Sequence, residues 1–188
     1  PVKYPFSIDL IKSNSGKLVF EKNCAGCHGT YRSDNEGLPL YEAPKWFPIS
    51  IVGTDEDRLN ANTQEFRDLV ASNPFNDILQ ATQLGDGYFA PRLVGVWSRF
   101  PYLHNGSVPS IRELLNESTS RPTTFSMKES GELKRFDQKN LGLTLDAKSV
   151  GRSQYDTTLL GHSNKGHNYG TSLTNQKKSE LIEYLKTL

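Results

Sequence analysis

The stretch Gly16-Lys17-Leu18-Val19-Phe20-Glu21-Lys22-Asn23-Cys24-Ala25-Gly26-Cys27-His28 decides how this chain is read. Its last five residues hold the only two cysteines of the sequence, followed directly by a histidine. That spacing is the c-type haem attachment signature. On one turn of a helix, two thiols three residues apart can each add to one vinyl group of the same porphyrin. The next residue then turns its imidazole beneath the iron. Cys24 and Cys27 are therefore expected as thioethers and His28 as the proximal ligand of one covalent haem c. Other readings of a Cys pair fit less well. A thioredoxin-like pair follows a strand, whereas Leu18 and Phe20 lead into this one with helical spacing. A zinc site needs a second pair of ligands at matched spacing, and no second Cys pair exists. A disulfide across two residues closes too short a loop to constrain the chain. None of the three uses His28.

Working outward, the 188 residues suit a single domain, 1–188, with enough chain for a real core. Hydrophobic residues make up 35% and charged residues 23%, a polar balance that points to many loops. The net charge of +1 supplies no field to recruit nucleic acid or an anionic membrane. The longest apolar run, Leu93-Val94-Gly95-Val96-Trp97, falls far short of the ~20 residues of a membrane span, so no transmembrane segment is expected. Haem is attached to reduced thiols outside the cytoplasm, which predicts an exported protein, periplasmic or extracellular, whose leader has been removed or omitted. Residues 1–13 read as an irregular lead, 14–28 as the haem-attachment helix, and 174–188 as a C-terminal helix capped by Thr174. Between the helices, Pro and Gly break periodicity. Only Asp55 to Val70 and Ile111 to Leu115 look helical there. The expected fold class is mainly α, a helical haem domain with long loop-rich insertions.

Gly16-x-x-x-Phe20-x-x-x-Cys24, taken with the terminal Ile182-Glu183-Tyr184-Leu185-Lys186-Thr187-Leu188, resembles the two crossing helices of cytochrome c. In that resemblance Gly16 permits close approach, and Phe20 and Tyr184 are packing residues. The segment from Tyr88 to Ser110, which includes Trp97-Ser98-Arg99-Phe100-Pro101-Tyr102-Leu103-His104-Asn105-Gly106-Ser107, is similar to the haem-contacting segment of bacterial di-haem cytochrome c peroxidases. It is closer still to that of the rubber oxygenase group. Gly161-His162-Ser163-Asn164-Lys165-Gly166-His167-Asn168-Tyr169-Gly170 resembles a Gly- and His-containing segment of the same group. The resemblance implies one haem lobe of that architecture. Those enzymes carry two C-x-x-C-H motifs and this chain has one, so chemistry that depends on haem-to-haem transfer is not expected.

Four residues compete for the distal face of the iron. Met127 is the only methionine, but it stands in a polar stretch, and Ser118 lies nearer the place of the peroxidase methionine. His104 reads as a group hydrogen-bonding near the haem edge. His162 and His167 share a loop whose glycines let backbone approach a flat ring. By the family pattern His167 occupies the recurrent histidine position, so it is the expected second metal ligand, with Met127, His162 or an open face as alternatives. The propionates need donors. Arg99, Trp97 and Tyr102 offer a guanidinium, an indole N–H and a phenol, with Arg92 as the alternative cation.

The expected function is electron transfer: single electrons pass to or from a periplasmic redox protein or an attached oxidoreductase domain, without bond chemistry. A peroxidase- or oxygenase-like haem enzyme, or a gas-sensing module with an open distal face, is the alternative.

Overall fold

The computed structural model describes residues 3–33, 39–41, 45–73, 85–127, 136–145 and 153–188. Two helices set its frame. The first, α1 (Leu10–Asn23), begins where the Asp9 carboxylate accepts the N–H of Lys12 at 3.1 Å. This cap starts the helix four residues earlier than the expected boundary at residue 14, because Asp9 satisfies a first-turn donor that nothing else reaches. The chain bends at Cys24 and continues as a single turn, α2 (Ala25–His28). The last helix, α7 (Asn175–Leu185), is capped by Thr174, whose hydroxyl accepts from the N–H of Lys177 at 3.3 Å.

The buried face of α1 is Ser13, Gly16 and Phe20, at three- and four-residue spacing, and it meets the Leu181–Leu185 stripe of α7. They meet so closely that a Cβ on Gly16 would lie 1.9 Å from the Glu180 carbonyl oxygen. Phe20 sits with its ring centroid 5.2 Å from that of Tyr184 and 5.9 Å from that of Tyr31. Phe20, Leu181 and Ile182 are almost wholly buried. Each contributes about 2 kcal/mol of apolar burial, so this crossing is a principal source of stability. The lead packs onto the same core: the Tyr4 ring stands edge-on to Trp97, and the Asp9 N–H donates to Glu183 on α7 at 3.0 Å. The carbonyl of Leu188 accepts the N–H of Gly95 at 2.7 Å, tying the end of the chain to the middle segment.

Between the frame helices the fold departs from the mainly α expectation. Four short helices lie there, α3 (Ile49–Val52), α4 (Asp57–Asn60), α5 (Gln64–Ala71) and α6 (Ile111–Leu114). Two 3₁₀ turns, Val96–Ser98 and Ser118–Ser120, accompany them. Among the described residues there are also eight short strands in four two-stranded antiparallel sheets, so the class is mixed. The strands are β1 (Tyr31–Ser33) with β2 (Pro39–Tyr41), β3 (Trp46–Pro48) with β4 (Gly87–Phe89), β5 (Thr124–Ser126) with β8 (Gln154–Asp156), and β6 (Phe136–Asp137) with β7 (Gly142–Leu143).

The physical reason lies in the punctuation of the insertions. Pro and Gly stop helices before they can nucleate and propagate, and the freed backbone groups pair across the nearest extended segment instead. Aromatic residues then face each other across the pairs: Phe125 opposes Tyr155 with stacked rings 5.1 Å apart. Among the described residues, no helix is long and apolar enough to cross a membrane.

Candidate haem site

The proximal side is built by local helix geometry. Because α1 runs into α2, the N–H groups of Cys27 and His28 both bond the carbonyl of Cys24, at 3.1 and 2.9 Å. One turn therefore carries both thiols and the imidazole. The cysteines are free, and burial, reinforced by the neighbouring Cys27, pushes the Cys24 thiol up to about 11. Nδ1 of His28 lies 3.1 Å from the carbonyl oxygen of Pro91. A carbonyl can only accept, so Nδ1 carries the proton and Nε2 presents its lone pair. Burial lowers the proton affinity of this ring further. The Tyr31 hydroxyl secures the same region: it donates to the carbonyl of His28 at 3.2 Å and accepts the N–H of Leu93 at 2.7 Å.

The distal side comes from far along the chain. His167 faces His28 with ring centroids 6.2 Å apart and planes inclined by 49°. Two imidazoles bound to opposite sides of one metal ion should have centroids about 6.4 Å apart, taking about 2.0 Å per metal–nitrogen bond and about 1.2 Å from nitrogen to ring centre. The observed separation matches. His167 adopts a left-handed backbone with φ +47°, and its N–H donates to the carbonyl of Val52 at 2.8 Å. Gly166, at φ +79°, lets the loop touch the end of α3: a Cβ there would lie 2.3 Å from the carbonyl of Gly53. Burial, and secondarily the His28 ring, lowers the His167 pKa to about 4, so the ring is neutral and able to ligate at physiological pH. Its Nδ1 is buried without a hydrogen-bond partner among the described residues.

These residues fit a haem. Among the described residues, no three His, Cys, Asp or Glu side chains gather to hold a bare metal ion. Two opposed imidazoles suffice only for a metal that brings its own equatorial donors, as a porphyrin does. Two thiols on the turn beside one imidazole are the donor set that the attachment chemistry requires.

The other candidates are placed differently. His162 is engaged elsewhere, its Nδ1 3.0 Å from the carbonyl of Asp156 and its ring stacked on Tyr155 at 4.7 Å. Met127 continues strand β5, donating its N–H to Ser153 at 2.6 Å. His104 stacks on Tyr88 at 5.1 Å, with a buried Nε2 that finds no partner among the described residues. Its carbonyl accepts from Arg58 at 3.3 Å.

The expected propionate donors are partly spent. The Tyr102 hydroxyl donates inside the core, to the carbonyls of Val96 and Leu141 at 3.2 and 3.1 Å. Tyr102, expected as a propionate donor, is 7% exposed and spends its hydroxyl on these core carbonyls. Arg99 donates to the carbonyl of Arg92, and Trp97 packs its ring against Tyr4.

Two residues that matter for the distal loop escaped the sequence reading. Asn105 donates through Nδ2 to the carbonyls of Gly161 and Ser163 at 3.1 and 3.0 Å. Arg121 is buried and donates to backbone carbonyls of the same loop. Their partners are backbone oxygens, which leave no pattern in a sequence. The Asn105-Gly106 turn pair was the one available signal.

Comparison with known proteins bears on the same middle segment. Residues 87–126 match the family described as RoxA-like, cytochrome c-like. The resemblance drawn from Tyr88 to Ser110 is thereby shown over these residues: they match a cytochrome c-like domain related to the RoxA type of rubber oxygenase, which supports a haem-binding cytochrome. Over its whole length the chain is 28% identical to the uncharacterized protein y4iM of Sinorhizobium fredii, of which it spans 51%. Over 66% of its length it is 36% identical to the uncharacterized protein y4iJ of the same organism, of which it spans 21%. The chain thus covers about half of one relative and about a fifth of the other.

Proposed function

We propose that this chain is a mono-haem, bis-histidine c-type cytochrome domain that transfers single electrons. Cys24 and Cys27 would hold the porphyrin as thioethers, and His28 and His167 would ligate its iron. The observation that carries the reading is the pair of imidazoles facing each other at 6.2 Å. When bound, haem supplies a one-electron ferric/ferrous couple.

The protein residues then keep ligation constant while the charge changes. The Pro91 carbonyl holds the His28 proton on Nδ1 and fixes the plane of that ring. The Val52 carbonyl anchors the backbone of His167. With both imidazoles on anchored backbone, these residues would ligate the iron with little rearrangement between oxidation states and would leave small molecules no place to bind it. Imidazole on both sides makes a stronger reductant than a thioether ligand would. The partner we propose is a redox protein or an attached oxidoreductase domain, and the compartment is the periplasm or the extracellular space, where haem attachment occurs.

Spectroscopy of the holoprotein tests this. Acid–acetone should leave the pigment on the protein, and both oxidation states should be low-spin, with no far-red sulfur-to-iron band and no carbon monoxide adduct. His167→Ala should become high-spin and bind carbon monoxide, while Met127→Ala should stay low-spin. The reverse pattern in the two variants, or a wild-type protein that takes up carbon monoxide or rapidly consumes peroxide, would move the assignment to Met127 or to an enzyme.

A further inference from the structure

The loop that carries His167 is held by one buried cation. Arg121 is 3% exposed, and its guanidinium is surrounded by backbone oxygens. Nε donates to the carbonyls of Glu113 and Asn116, both at 3.2 Å. Nη2 donates to Leu114 at 3.1 Å and His167 at 3.3 Å. Nη1 donates to Asn164 at 2.5 Å and Gly166 at 2.9 Å. Three of these acceptors, on Glu113, Leu114 and Asn116, lie at the end of α6 and just beyond it, where the helix runs out and its carbonyls are open to other donors. The other three lie in the distal loop. A single planar fork thus joins the middle segment to the segment that supplies the second imidazole.

The placement of those three loop carbonyls is what matters for the iron. The backbone of His167 is gripped from both sides: its N–H by Val52 and its carbonyl by Arg121. The preceding peptide is gripped as well, through the Gly166 carbonyl. His167 sits at φ +47°, a conformation that residues with a Cβ avoid and adopt only when the surroundings impose it. Burying a cation is costly unless every N–H is satisfied, so the cage of carbonyls is also what permits the charge to stand there.

We infer that Arg121 is the positioning residue for the distal ligand: its fork holds His167 at the iron and so keeps the sixth coordination place closed. This rests on the bis-histidine reading above. Lysine cannot replace it, because a point-charge ammonium with three donors cannot span two segments in one plane.

The test compares holoprotein carrying Arg121→Lys or Arg121→Gln with wild type and with His167→Ala. Optical spin state, carbon monoxide binding rate and Soret circular dichroism are read in each. Both Arg121 variants should keep a native-like Soret dichroism, gain high-spin character and bind carbon monoxide faster. The expected rise is about tenfold or more, because one charge-assisted hydrogen bond lost from the loop is already worth about that factor. Free imidazole added at millimolar concentration should restore the low-spin spectrum.

Arg121→Lys or Arg121→Gln that stays low-spin and inert to carbon monoxide overturns the inference. So does collapse of Soret dichroism in both variants, since Arg121 would then act on folding of the whole lobe and not on the ligand. A wild-type protein that is already high-spin, or a His167→Ala variant with an unchanged spectrum, removes the bis-histidine reading itself, whatever Arg121 does.

Discussion

The two faces of this site are built in opposite ways. His28 follows directly from a helix: α1 runs into α2, and both thiols and the imidazole lie on one turn fixed by hydrogen bonds to the carbonyl of Cys24. His167 has no helix beneath it. It stands in a loop at a left-handed backbone angle, held by Val52 and Arg121, which lie 115 and 46 positions away along the chain. A ligand placed by local geometry survives wherever the helix survives. One placed by distant carbonyls depends on every segment that reaches it, and it belongs to the part of the molecule that opens more readily.

That contrast can be broken hardest at the frame, because both faces rest on the α1–α7 crossing. Gly16→Val would drive a Cβ to 1.9 Å from the Glu180 carbonyl oxygen, backbone that cannot step aside without separating the helices. The expected cost is about 3 kcal/mol or more, at the upper end of what overpacking does. Guanidinium unfolding followed by far-UV circular dichroism should show a large fall in midpoint, with both haem faces lost together. An unchanged midpoint would mean that the two helices do not meet at this glycine.

The same contrast explains what could be read from the sequence. The Cys24-x-x-Cys27-His28 motif, the Gly16 crossing and the C-terminal helix were legible because each is a short pattern whose physics is local. His167 is proposed over its rivals through resemblance alone at the level of sequence, since spacing could not choose among His162, His167 and Met127. Arg121 was invisible: its hydrogen-bond partners are backbone carbonyls, which leave no pattern in a sequence. The mainly α expectation failed in the insertions, where Trp46-Phe47-Pro48 pairs with Gly87-Tyr88-Phe89 as a short ladder. Three residues of alternation between prolines and glycines carry too little periodicity to distinguish a strand from a loop. A phenol serves equally well as a donor to a carboxylate or to a core carbonyl, so the bonds of Tyr102 to the carbonyls of Val96 and Leu141 leave no trace in the sequence.

A smaller perturbation sharpens the comparison by touching one face alone. Gly166→Ala places a methyl 2.3 Å from the Gly53 carbonyl at φ +79°, a combination expected to cost about 2 kcal/mol in the distal loop. The low-spin spectrum should then be lost at lower guanidinium concentration than in wild type, while the far-UV transition of the frame moves much less. If the two transitions instead shift together, the distal loop and the frame unfold as one unit, and the distinction between a local and a long-range face does not hold energetically.

The smallest effect is expected at the rim of the same loop. Tyr155 is stacked between Phe125 and His162, at 5.1 and 4.7 Å, and its hydroxyl donates to the Asn105 carbonyl at 2.8 Å. Asn105 in turn grips Gly161 and Ser163 through its own amide. Tyr155→Phe removes one hydrogen bond and leaves the ring stack and the Asn105 clamp in place, so the loss should be about 1 kcal/mol. Because the deleted bond lies several residues before His167, while Val52 and Arg121 act on that residue directly, the iron should remain low-spin and closed to carbon monoxide. A Tyr155→Phe protein that binds carbon monoxide as readily as His167→Ala would show that the loop is held chiefly from the Asn105 end, and the direct grip on His167 would lose its place in the account of the distal face.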